Sequence, residues 1–455
     1  MKKKIALLLC LVFVLGLFAV GCKSSDSSSS SSGKYDNYIP NGSADVSAEV
    51  MEALTTSGTV SSYVFGDGDT VAGNGLTGFN NKEFQTLFRE FYGGELDLRR
   101  IEWEKWESKF ITDFAAEDAP DLIYGFAKLW PKIANRSMVY TRKELTELGV
   151  VGLDHPVLTD GLDTADANFT FKGEPYSIGL LGSSCFWCVV NEDLFKSYSV
   201  KSPTAYYDEG LWTLDTLEKC GSELITAAGV DDSGQRDIFG YYCWDNGVFI
   251  RANGQQLVGL DNESGKITNN IEKLEVIDAL ERMRKGYQDK WITNSNTFSQ
   301  GKIGVIAIAD GNIPALLEES SFNYRIIPFP KGRSNTNGQV PGSCNAWMVT
   351  TSSSNPQGAV NLVIAYEAAI NDGILEKEED TVAKLVGEDE NNVQMVYDTR
   401  SKGVNDNMYG VGTLWDSQWD FWSAIRFGKQ TVRESIETWK SMFEAQIEAE
   451  NALAD

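Results

Sequence analysis

The chain has 455 residues, 42% of them hydrophobic and 23% charged, enough to bury two ordinary cores or one large one. Its formal net charge of −25 argues against nucleic acid as a partner, because that binding needs clustered Lys and Arg. With His155 as the sole histidine, there is little material for a Ser-His-Asp or Cys-His centre or for His-rich zinc chemistry.

Lys2, Lys3 and Lys4 precede an apolar run from Ile5 to Val20. The run is shorter than the ~20 residues of a spanning helix. A basic start, an apolar core and small residues before a cut describe a secretory signal. Ala19-Val20-Gly21-Cys22 resembles a bacterial lipobox, whose cysteine is lipidated and becomes the new N-terminus. Residues 1–21 are then the signal, and 22–56 a lipidated Cys22 and its tether. Ser24, Ser25 and Ser27 to Ser32 have the composition of a flexible coil. Cutting before Cys22 leaves 37 basic and 65 acidic side chains, a net −28. No second segment approaches spanning length. The body is expected at the extracellular face of the cell membrane, held by lipid alone.

Thr59 to Phe65 reads as a strand, ending in the turn Gly66-Asp67-Gly68-Asp69. Phe84, Leu87, Phe88 and Phe91 mark one face of a helix over 80–91. A strand over 96–101, a helix over 106–116, a strand over 121–124 and a helix from about Trp130 follow. Such alternation indicates parallel βαβ units, whose ligands meet the loops beyond the carboxyl ends of the strands. Those loops hold Gly66 to Asp69, Trp103, and Tyr124 to Lys128. A second alternation begins near Ser183. It includes a long helix with Ile271, Leu274, Ile277, Leu280 and Met283 as its apolar face. Cys185 and Cys188 have C-x-x-C spacing but lie in a strand-like run, where residues three apart point to opposite faces. They read as buried small side chains rather than a metal or redox pair. The scattered cysteines imply no disulfide framework.

Five ordered segments carry a family resemblance: Ala119-Pro120-Asp121-Leu122-Ile123, Val190-Asn191-Glu192-Asp193-Leu194-Phe195, Trp212-Thr213-Leu214, Phe298-Ser299-Gln300-Gly301-Lys302-Ile303-Gly304, and Phe421-Trp422-Ser423-Ala424-Ile425. Together they make the chain similar to the extracellular sugar-binding proteins of ABC importers, close to the maltose-binding type. The resemblance implies an α/β, two-lobed periplasmic-binding-protein-like fold of type II with a ligand cleft between the lobes. It implies a first lobe over 57–181, completed by 327–372, and a second over 182–326, completed by 373–455. The crossings would fall near Tyr176 to Gly182, Ile326 to Pro330 and Ile370 to Gly373.

A sugar presents a C–H face that stacks on rings and hydroxyls that need partners; a buried unpaired hydroxyl costs ~1–3 kcal/mol. The candidate rings are Trp103, Tyr124, Tyr242, Trp244, Trp347, Trp415, Trp419 and Trp422. For any one of them, core packing is the competing reading. The polar candidates are Asp67, Asp69, Glu104, Lys128, Ser184, Arg251, Asp310 and Asn345. The resemblance suggests Trp422 as the stacking ring, with Trp419 next. No catalytic residue, metal or cofactor is expected. The implied partners are an oligosaccharide and the transmembrane subunits of an ABC permease, with the binding protein a monomer. A surface glycan-binding or sensing lipoprotein on the same fold remains an alternative. A glycoside hydrolase is a weaker one, since 65 acids supply carboxylate pairs by chance.

Overall fold

The computed structural model describes residues 34–35, 37–65, 76–375, 381–387 and 389–453. Among these residues a nine-stranded sheet runs through both lobes. In the first lobe, β1 (Gly58–Phe65) lies between β2 (Gly94–Ile101) and β3 (Leu122–Gly125), parallel to both. In the second, β4 (Gly179–Asn191), β5 (Phe239–Cys243), β6 (Ile303–Ala309) and β7 (Tyr324–Pro328) come together: β6 and β7 flank the far half of β4, and β5 runs parallel to β6. β8 (Val340–Val349) pairs antiparallel with β3 and with the near half of β4, while β9 (Gly403–Val404) pairs with its first residues. Two antiparallel strands, β4 and β8, therefore carry the chain between lobes.

Each lobe has its own core. Val60, Phe84, Phe88, Trp106, Leu122 and Trp347 belong to the first. Helix Pro356–Asn371, apolar on nearly every side, is sealed into that core. Its cap, Asn355, accepts the Gly358 N–H at 3.0 Å and donates to the carbonyls of Ser57 and Thr59 at 2.7 and 2.9 Å, tying the helix start to β1. Trp187, Val189, Leu217, Tyr241, Ile306, Leu280, Trp422 and Phe443 belong to the second core. Several resemblance segments are local stop and start devices. Asn191 ends β4 and caps helix Glu192–Ser197 by accepting the Leu194 N–H at 3.0 Å. Thr213 opens helix Leu214–Ala228 in a reciprocal box with Thr216. No described helix is long and apolar enough to cross a membrane.

Three expectations are corrected. Residues 34 to 56 are not tether throughout. Tyr35, Val50 and Leu54 bury in the first core, and Ser47 caps helix Ala48–Leu54. The Tyr38 hydroxyl and the Asn41 N–H both donate to Asp372 Oδ2, at 2.6 and 3.1 Å. The serine-rich composition ends at Ser32, and these apolar groups follow it. The return crossing comes later than 326–330: Ile326, Ile327 and Phe329 pack in the second core, and β8 makes the crossing. The apolar face of helix Leu274–Gln288 is Val276, Ala279, Leu280, Met283 and Gly286. Leu274, at its first turn, is 79% exposed.

Candidate ligand cleft

A cavity of about 890 Å³ opens between the lobes, within the ~300–1,000 Å³ range of small-molecule sites. The first lobe contributes Glu107 and the loop after β3, with Tyr124, Phe126 and Lys128. The floor is the crossing pair itself: Leu181 to Phe186 on β4, with Gly342, Ser343 and Asn345 on β8. The second lobe contributes the loops after β5 and β6, with Trp244, Asp245 and Asp310 to Asn312, and later Asp406, Tyr409, Trp415 and Asp416. The strand-end loops thus hold much of the site, as open α/β sheets require.

The second-lobe wall is aromatic. Tyr409 stacks on Trp415 at an interplanar angle of 21°. Trp415 meets Trp419 edge-on at 6.0 Å between centroids; Trp419 lies 6.4 Å from Trp244, and Trp244 5.9 Å from Phe186. Trp244 and Trp419 keep 37% and 40% of their surface exposed, unusual for rings of this size outside a binding surface. Behind the rings lies a buried charge group. Arg251 pairs with Asp245 and stands 4.0 Å from Asp406, and its guanidinium lies over the Phe186 ring. Burial raises the pKa of Asp406; Arg251 opposes the rise. Asp310 is equally committed: Oδ1 accepts the Cys185 N–H at 2.9 Å and the Trp187 indole N–H, and Oδ2 accepts Arg400 Nε at 2.7 Å. On the opposite wall Glu107 pairs with Lys132. Among the described residues no group of three or more His, Cys, Asp or Glu side chains is placed to hold a metal ion.

A family model described as bacterial extracellular solute-binding protein matches residues 80–368. The chain belongs to this family. No curated protein matches this solute-binding protein in sequence. Solved structures share its fold at low identity. The sugar-binding protein MalE from Xanthomonas citri is 12% identical with a TM-score of 0.63, over 87% of this chain and 98% of the other. The cyclic α-maltosyl-1,6-maltose binding protein from Arthrobacter globiformis is 16% identical with a TM-score of 0.61, over 87% and 98%. UgpB from Mycobacterium tuberculosis, solved with glycerophosphocholine, is 13% identical with a TM-score of 0.57, over 85% and 98%.

In this solute-binding protein the cleft gathers Tyr124, Lys128, Ser184, Trp244, Arg251, Asp310, Asn345 and Trp415 of the residues singled out by sequence. Trp419 joins them through its ring contacts. Two tryptophans are corrected. Trp347 is fully buried in the first core between Phe79 and Tyr366, and Trp422 in the second, its indole N–H donated to Gln418 at 2.7 Å. Neither lines the cleft. Tyr242 packs half-buried against the second core, and Glu104 is exposed outside the lining. Arg251 and Asp310 line the cavity but are engaged by protein partners, so they hold the wall in shape. Asp67, Asp69, Cys22 and the Trp103 side chain lie outside the described residues. Sequence reasoning missed Glu107, Phe186, Asp245, Asp406, Tyr409 and Asp416, while Phe126 fell within the Tyr124 to Lys128 loop it had placed at the ligand. Asp245 stood beside a chosen tryptophan; Tyr409 and Asp406 gave no signal, because only the fold brings Tyr409 against Trp415 and Asp406 near Arg251.

Proposed function

We propose that this chain captures an extracellular oligosaccharide and delivers it to the permease of an ABC importer, as a lipoprotein anchored through Cys22. The observation that supports this most is the run of rings Tyr409, Trp415, Trp419, Trp244 and Phe186 along one wall of the cleft. Rings in series offer faces to successive sugar units. Ser183, Ser184, Ser343 and Asn345 on the floor offer donors and acceptors for hydroxyls. The maltodextrin and cyclic maltosyl ligands named for structural relatives are of this class. Closure of two lobes on such a ligand would create the shape a permease reads. Binding without turnover fits a wall whose buried carboxylates Asp245, Asp310 and Asp406 are engaged by arginines.

A thermal-shift screen over plant and storage oligosaccharides tests the reading, because a ligand that prefers the native state raises the melting temperature. Calorimetry and product analysis on each hit then separate capture from hydrolysis. Stabilisation by no saccharide, or release of shorter sugars, would reject it. Loss of import on deleting the gene, restored by the wild-type chain, separates transport from surface sensing.

A further inference from the structure

The two walls of the cleft carry opposite excess charge. On the first lobe Lys132 offsets Glu107, and Lys128 has no ion-pair partner among the described residues. On the second lobe Arg400 offsets Asp310. There a single guanidinium, Arg251, serves two carboxylates, Asp245 and Asp406, and the exposed Asp416 adds another. All of these side chains line one cavity except Lys132 and Arg400, which stand behind it.

We propose that Lys128 is the electrostatic latch of lobe closure, pairing across the cleft with the exposed Asp416 of the second lobe, and that the ligand enclosed is uncharged. This rests on the reading of the cleft as a closing saccharide site. In the open cleft water screens the attraction, whose range is ~10 Å at 0.1 M salt. Closure expels water and lowers the local dielectric, so the same charges attract more strongly. A neutral sugar leaves Lys128 free to make that pairing. An anionic sugar would take Lys128 as its own partner and then face the excess acid of the other wall.

The test places a fluorophore pair at Leu148→Cys on the first lobe and Val230→Cys on the second, both exposed positions, and measures single-molecule energy transfer without ligand. Between about 20 and 500 mM NaCl the wild-type closed-to-open ratio should fall about two- to five-fold, the range of one exposed ion pair. Lys128→Gln should be flat across salt, and the swap Lys128→Asp with Asp416→Lys should regain the low-salt population. A Lys128→Gln closed fraction equal to wild type at low salt would overturn the latch. Maltotetraose and an oligogalacturonate are then titrated. Tighter binding of the oligogalacturonate, lost in Lys128→Gln, would make Lys128 an anion anchor and overturn the uncharged-ligand inference. If neither sugar binds, the oligosaccharide reading loses these candidates, while the ligand-free measurement still decides the latch.

Discussion

The Asp310 carboxylate accepts the Cys185 N–H at 2.9 Å, just past the point where β4 passes from one lobe to the other. The same carboxylate holds Arg400 at 2.7 Å and the Trp187 indole. From Cys185 onward the crossing strand is therefore pinned to the second lobe. Before it, Gly182 to Ser184 face Ser343 to Asn345, and the register shifts between Asn345 and Ala346. In that stretch the two strands pair with each other as they cross, with the Cys344 N–H donated to Asn405 Oδ1 at 2.7 Å.

Asp310→Asn keeps an acceptor for Cys185 but removes the charge that Arg400 and Trp187 meet. It should destabilise the protein by about 1–3 kcal/mol, the cost of impairing a buried polar network. Denaturant titration measures this. An unchanged midpoint would remove Asp310 from its pinning role.

Trp422 and Trp244 should behave as opposites. Trp422→Ala empties a packed core site and should cost about 3–5 kcal/mol of stability, with affinity intact in whatever folds. Trp244→Ala should leave the melting temperature nearly unchanged. It should weaken a saccharide ligand about 30-fold, equivalent to losing ~2 kcal/mol at a binding hot spot. Calorimetry on folded variants distinguishes them, and near-native affinity in Trp244→Ala would take that ring out of the site.

His155 gives the fold an acid-side weakness. It is fully buried beneath Gly42, its Nδ1 accepts the Val157 N–H at 3.4 Å, and burial lowers its pKa from 6.5. Asp154 opposes the shift. The unfolded chain therefore binds the proton more readily than the folded one, so stability is full above pH 6.5 and falls as pH drops towards the lower folded value. As the sole histidine, it should contribute an acid-side loss between about pH 7 and 5, a window set by its unperturbed pKa, while the raised carboxyls of Asp310 and Asp406 act in the opposite sense. His155→Asn should flatten the melting temperature over that window. A slope equal to wild type would assign it elsewhere.

Cys22→Ala should move the protein from the membrane fraction to the medium of an expressing bacterium, by the lipobox resemblance of Ala19 to Cys22. Retention in the membrane fraction would show another anchor.

The fold was legible where one period dominated. Phe84, Leu87, Phe88 and Phe91 at helical spacing, and β-branched or aromatic runs between turns, marked the first lobe's alternation; the first three side chains are buried and Phe91, at the helix end, is half-buried. The return crossing was not, because a strand completing one lobe and a strand joining two share the same apolar pattern. The tryptophans show the limit most clearly. Helical spacing puts Trp415, Trp419 and Trp422 on one side of helix Leu414–Arg426. Only the packing of its far end against helices Leu274–Gln288 and Val432–Asn451 decides which ring is covered. The cleft acids were hidden for a related reason: Asp406 and Asp245 lie far apart in sequence and meet only at Arg251.

If Cys22 carries a lipid, as proposed, the docking of residues 34 to 56 on the first lobe would also set a leash length. Had the chain been free from Cys22 to the first strand, full extension would let the body roam about 120 Å from a lipid on Cys22. With Tyr35 buried and Tyr38 held by Asp372, only the residues before Lys34 remain to span that gap, about 40 Å at most. An anchored body would then stay within that distance of the bilayer, tethered through its first lobe. Lengthening the serine run should therefore trade a high local concentration at the permease for reach into the surrounding medium.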